Sequence, residues 1–240
     1  MPRDAVKPVS PTHYNQLGNV QITHLLGATH HEVGTSPDKV LAKLESQGKR
    51  PYWIPSGAST HLLGGLGFAR FAFEVIAQEA ELGKFFSTII VACASGSTLG
   101  GMVAGFKLAG KQGIGSNMRR CVIGIDCHAG EPGTSAANIL QIARTTAVKI
   151  GLQQSDISED DIIVDERWNA GTYGKVDQAT EKAVKLLART EAILTDPVYT
   201  GKALAGLIGK AVNGEFSDGG HVLFVHTGGV QVLSAYPEVV

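Results

Sequence analysis

The residues whose types and spacing suit chemistry fall in three loops. The first is Ser95-Gly96-Ser97-Thr98-Leu99-Gly100-Gly101, between an apolar run at 87–94 and a helical pattern that continues from Thr98. Backbone N–H groups in such a loop converge on one point. Ser and Thr hydroxyls add donors, and the dipole of the following helix favours negative charge. The loop therefore suits an anion such as a phosphate, and its glycines equally suit a bare strand-to-helix turn. The second loop, 194–203, carries Asp-Pro, Tyr199 and a glycine ahead of a helix. Its phenol fits an acid or base, or a core tyrosine with a satisfied hydroxyl. The third, His226-Thr227-Gly228-Gly229, closes the last apolar run and either lines a site or turns the chain. No Walker A lysine and no dinucleotide fingerprint accompany these loops, and no ribose-binding acid follows at the distance a nucleotide site needs.

Around those loops the pattern is that of an α/β protein. Apolar runs of four to seven residues alternate with helical stretches, which predicts a parallel sheet covered by helices on both faces. Predicted helices cover 15–27, 36–49 (Ser36 as N-cap, Pro37 at the first helical position), the stretch after the turn at 56–60, 98 onward, 134–151, 177–191 and 200–214. Predicted strands are Ala28–Val33, Pro51–Pro55, Ser87–Ala94, Arg120–Asp126, Asp161–Glu166 and the run from His221. Glu181 and Lys185 stand at the supportive i,i+4 spacing. Residues 1–14, with three prolines, read as an irregular lead-in. A composition shift near Pro55 to Gly57 divides a small lobe, 15–56, from a larger one, 57–240.

Composition sets outer bounds. The 240 residues are 43% hydrophobic and 18% charged, with a net charge of -1, which gives no electrostatic reason to expect nucleic acid or an anionic membrane. Thirty glycines fit loops that approach a ligand closely. The three cysteines, Cys93, Cys121 and Cys127, lack framework or metal spacing, so the expectation is a reducing compartment, the cytoplasm. His30-His31 reads as a strand-end surface feature, since adjacent strand residues point to opposite faces, and no metal is expected.

Several motifs in order carry a resemblance. "TDPVYTGKALAGLI" followed by "LFVHTGG" resembles D-cysteine desulfhydrase, and "IPSGASTHLLGGLGF" with "VDERWNAGTYG" resembles 1-aminocyclopropane-1-carboxylate deaminase. Both belong to the pyridoxal-phosphate enzymes with the tryptophan synthase β-subunit-like fold (fold type II). The resemblance runs from about Tyr14 to the C-terminus. It implies that Ser95, Gly96, Ser97 and Thr98 hold the cofactor phosphate, that Tyr199 and Tyr173 flank the substrate as the catalytic pair, that Thr200 faces the pyridine nitrogen, and that Thr227 lies near the cofactor. The deaminase carries Glu and Leu where Thr200 and Thr227 stand. A carboxylate opposite the ring nitrogen deepens the electron sink that opening a cyclopropane needs, whereas sulfide is a better leaving group. The two threonines therefore lean toward a D-cysteine desulfhydrase-like lyase, giving pyruvate, ammonia and hydrogen sulfide, with the deaminase as the alternative.

The resemblance also implies something this chain lacks. The family holds its cofactor covalently on a lysine in a Gly-Gly-Asn-Lys motif, followed by Ser-Asn-Gln, and neither motif is in the sequence. The expectation is a chain truncated at its N-terminus, with the cofactor held non-covalently and activity impaired, or a non-catalytic remnant that pairs with a full-length relative. Lys202 reads as a surface or helix-start residue and Lys175 as exposed, so neither is expected to substitute. A small amino-acid substrate and a homo-oligomer, a dimer, complete the expectation.

Overall fold

The computed structural model describes residues 16–32, 34–54, 58–216 and 220–239. Four strands, β1 (Phe86–Cys93), β2 (Cys121–Asp126), β3 (Ile163–Asp165) and β4 (His221–Val225), form one sheet in the order β3-β2-β1-β4. All neighbours are parallel, with Ile90 opposite Ile123 on one side and Phe224 on the other. Among the described residues seven α-helices accompany them: α1 (Gly18–Leu25), α2 (Pro37–Ser46), α3 (Leu66–Leu82), α4 (Ser97–Lys111), α5 (Thr134–Lys149), α6 (Gln178–Glu191) and α7 (Thr200–Val212).

Alternation along β1 assigns the faces. Ile89, Val91 and Cys93 pack on Leu99 and Met102 of α4 and on Ile139 and Ala143 of α5. Ile90, Ile123 and Ile125 turn the other way, onto Ala203 of α7. A strand buried on both faces must be apolar at every position, which is why Ile89-Ile90-Val91 reads as an unbroken run. α3 and α4 approach so closely that a Cβ at Gly101 or Gly105 would overlap the backbone of Gly65 or Ala69.

The order matters for function. The chain winds β1, β2, β3 toward one edge and then jumps to place β4 on the other side of β1. The chain leaves β1 toward β2 on one side while β4 stands on its other side, which puts the switch point of the sheet, where open α/β sheets bind ligands, at the carboxyl ends of β1 and β4.

The N-terminal segments differ from their predicted structure. Residues 28–32 and 51–54 form no strand; Tyr52, Trp53 and Ile54 are exposed. Strand propensity needs a neighbour to satisfy the backbone, and none lies beside these segments among the described residues. His30 accordingly sits in a loop, stacked on His24 and bonded to Thr23 Oγ1 at 2.9 Å. The Ser36 side chain makes no capping hydrogen bond, though Pro37 does open α2. The lead-in at 1–14 and the boundary at 56/57 lie outside the described residues. Among the described residues no helix is long and apolar enough to cross a membrane.

Candidate functional site

The switch point holds a cavity of about 190 Å³ lined by Ala92, Cys93, Ala94, Ser95, Gly96, Thr98, Tyr199 and Thr227. A larger groove of about 580 Å³, beside Phe106, Lys111, Met118 and Arg120, lies at the amino end of β2. It meets the C-terminal turn of α4, whose dipole disfavours anions. The smaller cavity is the one that sits where the topology and a helix N-terminus agree.

Its floor is the turn from β1 into α4. Gly96 is the N-cap at φ 98°, and a Cβ there would come within 2.6 Å of Ile139 Cγ1. Only glycine meets both conditions. No side chain caps α4, so its first N–H groups stay open. Ser59 Oγ donates to Ser95 Oγ at 2.6 Å, which leaves the Ser95 proton to point elsewhere. Open N–H groups, the Ser95 and Thr98 hydroxyls and a helix N-terminus fit a phosphate. The Ser97 side chain is half-buried and does not line the cavity.

The roof is built differently. Asp196, fully buried, accepts the N–H groups of Val198 and Tyr199 on Oδ2 and of Thr200 on Oδ1, each at 2.8 Å. That carboxylate closes the N-terminus of α7 and aims Tyr199 at the cavity. Thr200 Oγ1 donates to Asp196 Oδ1 at 2.6 Å and accepts from Asp196 N at 2.9 Å. Its side chain is fully buried and off the cavity wall, whereas Thr227 lies on it.

Tyr173 reaches Tyr199 from the loop that follows β3. Their hydroxyls are hydrogen-bonded, and the rings meet edge-on with centroids 6.1 Å apart. Burial raises the Tyr173 phenol well above its ordinary range, and the bond to Tyr199 raises it further. Burial raises Tyr199 as well, while the same bond lowers it. Either hydroxyl can donate in that bond, and both phenols stay neutral at the cavity. The Cys93 thiol, on the cavity wall, is pushed up to about 12, first by burial and then by Asp126, so it stays neutral.

Lys202 departs from its predicted place. It is fully buried, with Nζ donating to the Asn169 carbonyl at 2.7 Å, because the loop that carries Tyr173 crosses over it. Lys175 is exposed. Ser59, Asn169 and Asp196 are further residues that shape the site. Ser59 and Asn169 sit inside motifs already quoted without a role of their own. Asp196, three residues before Tyr199 at a helix start, carries the spacing of an Asx cap.

A parallel sheet with an open, hydroxyl-lined helix N-terminus at its switch point belongs to a known class. The chain is a member of the pyridoxal-phosphate dependent enzyme family, whose description matches residues 1–228. A protein of Cryptococcus neoformans var. neoformans serotype D, named a probable 1-aminocyclopropane-1-carboxylate deaminase, is 38% identical over 239 residues. The match covers 95% of this chain, and the chain spans 66% of that relative's length. The crystal structure of an ACC deaminase homologue superposes with a TM-score of 0.73 at 25% identity, covering 93% of this chain and 65% of that one. A hydrogen sulfide-producing enzyme from Fusobacterium nucleatum shares the fold, with a TM-score of 0.50 at 17% identity, covering 89% of this chain and 66% of that one. The α/β architecture, the family and the cofactor class expected from the sequence are borne out.

Proposed function

We propose that this chain supplies the phosphate-holding and tyrosine-bearing part of a pyridoxal-phosphate-dependent lyase for a small amino acid. When bound, the cofactor supplies an electron sink for a carbanion next to the amino group. The backbone N–H groups at Ser97 and Thr98, with the Ser95 and Thr98 hydroxyls, would hold its phosphate. Thr227 would lie against it. Tyr199 Oη, held in place by its bond with Tyr173, would exchange a proton with the substrate or orient its amino and carboxylate groups.

The preferred reaction is desulfhydrase-like β-elimination from D-cysteine. One observation carries that preference: among the described residues the cavity wall has hydroxyls and no carboxylate. A neutral wall suits a good leaving group such as sulfide. Deamination of 1-aminocyclopropane-1-carboxylate is the second reading, favoured by the names of the relatives at 38% and 25% identity. Association with a second copy or a full-length relative belongs to the same proposal.

The test has two stages. Pyridoxal phosphate is titrated into the purified protein with inorganic phosphate as competitor, and phosphate-competed binding is expected. The protein is then assayed, alone and mixed with a full-length relative, for sulfide from D-cysteine and ammonia from 1-aminocyclopropane-1-carboxylate. Binding that phosphate does not displace would sink the cup. Ammonia without sulfide would replace the first reading by the second.

A further inference from the structure

We propose that Lys202 is a positioning residue whose buried ammonium ties the loop carrying Tyr173 to the helix carrying Tyr199. The proposal rests on the reading of those two tyrosines as the pair that faces the substrate.

The placement of Lys202 is the first observation. It lies one helical turn past Tyr199 in α7, fully buried, and its Nζ reaches the Asn169 carbonyl, 33 residues away in sequence. Among the described residues no carboxylate lies within ion-pair distance of it. Burying an ammonium against a single carbonyl costs more than burying a Met of similar length, so space-filling does not explain a lysine here. Burial lowers its pKa, while the surroundings at Cys127, Asp177, Asp126 and Asp196 act to raise it. They belong to the end of β2, the N-cap of α6 and the turn before α7, so the ammonium sits among the elements that frame the site.

The receiving peptide is the second observation. Asn169 Nδ2 donates to Asp126 Oδ2 at 2.8 Å, and its Oδ1 accepts from Gly171 N at 2.9 Å. Asp126 in turn accepts from the N–H groups of His128 and Ala129, at 3.1 and 3.0 Å. His128 is the ring tilted onto Tyr173, with centroids 5.9 Å apart. One asparagine thus joins the ends of β2, α7 and the Tyr173 loop. The two residues that follow it, Ala170 at φ 62° and Gly171 at φ 69°, are both left-handed. An alanine stays there only where its surroundings hold it. The loop's outer anchors, Arg167 on Asp165 and Tyr236 Oη on the Gly174 carbonyl, run to other elements. Apart from the bond between the two tyrosine hydroxyls and the packing of Trp168 on α7, Lys202 ties the backbone of the Tyr173 loop to the helix that follows Tyr199.

The test uses the full chain labelled with 3-fluorotyrosine and read by fluorine NMR, with Tyr173 and Tyr199 assigned through their Phe variants. In Lys202→Met both signals are expected to move by more than a linewidth while that of exposed Tyr52 stays in place. Lys175→Met, beside Tyr173 but on the surface, is expected to move neither. A folded Lys202→Met protein, judged by far-UV circular dichroism, with Tyr173 and Tyr199 unmoved overturns the proposal. Should Lys202→Met fail to fold, Lys202→Gln carries the test: its shorter, neutral side chain gives up the bond to the Asn169 carbonyl and is expected to move Tyr173. An unmoved Tyr173 there overturns the proposal equally. The measurement needs neither cofactor nor substrate, so a failure of the lyase reading in the turnover assays leaves this result readable.

Discussion

The turn after β1 and the turn before α7 meet at one cavity and are built on opposite principles. The first is made of backbone: a left-handed glycine, an uncapped helix and tight packing on Ile139. The second is made of side chains: Asp196 closes its helix, and Lys202, Asn169 and Asp126 bind it to a distant loop. An uncapped helix end keeps donors for a ligand, and a capped one spends them on holding a residue still. The pair shows how one fold obtains a receptive surface and a rigid pointer side by side.

The sharpest way to break this contrast is Asp196→Ala. Three N–H groups, two of them buried, would lose their acceptor, and stability should fall by about 4 kcal/mol, read by urea unfolding. Phosphate affinity of the fraction that stays folded should hold within about threefold, or about 0.7 kcal/mol. A larger loss would mean that the two turns are not independent. Gly96→Ala should cost about 3 kcal/mol, from the left-handed backbone and the overlap with Ile139, and should remove phosphate binding. The fluorine signals of Tyr173 and Tyr199 should stay in place.

Acid separates the two turns more gently. Asp165, buried at the start of the Tyr173 loop, is opposed by burial but is held at about 2 by hydrogen bonds from Arg167 and Lys210. A carboxyl depressed in the folded state contributes stability that is fully present above its unfolded pKa, about 3.9, and is lost as pH falls through the folded value. Stability should therefore be flat down to about pH 5 and drop by about 2 kcal/mol toward pH 2. Ser95 to Thr98 contain no carboxylate, so Asp165→Asn should flatten that drop without touching phosphate affinity. The smallest effect belongs to Lys185→Ala. Its pair with Glu181, at 2.9 Å on α6, is partly exposed, and its loss should change stability by about 0.3 kcal/mol and move neither turn.

The same contrast explains what could be read from the chain alone. The β1 turn was legible because its causes are local: an apolar run, Ser-Gly-Ser-Thr and a helical pattern follow one another. The pair of Glu181 with Lys185 is legible for the same reason. Lys202 was not, because a lysine three residues into a helix pattern reads as exposed unless one knows that residues 166–174 fold over it. Thr200 carries a hydroxyl at a position matched to the pyridine nitrogen, yet its partner in this structure is Asp196, four residues away. Residues 28–32 and 51–54 have strand-forming side chains, but pairing is a property of two segments, and one segment cannot report it.

The position of β4 has a consequence in time. Its pairing with β1 joins Phe86 to His221, across more than half the chain. During synthesis β1 and the α4 turn emerge well before the strand that flanks them. Until β4 docks, one edge of β1 offers unpaired N–H and C=O groups, and the cavity lacks the wall that bears Thr227. Contacts of such long sequence separation form slowly. The nascent chain therefore passes through an interval with an open strand edge, in which a chaperone or a neighbouring chain competes with its own last strand for the same hydrogen bonds.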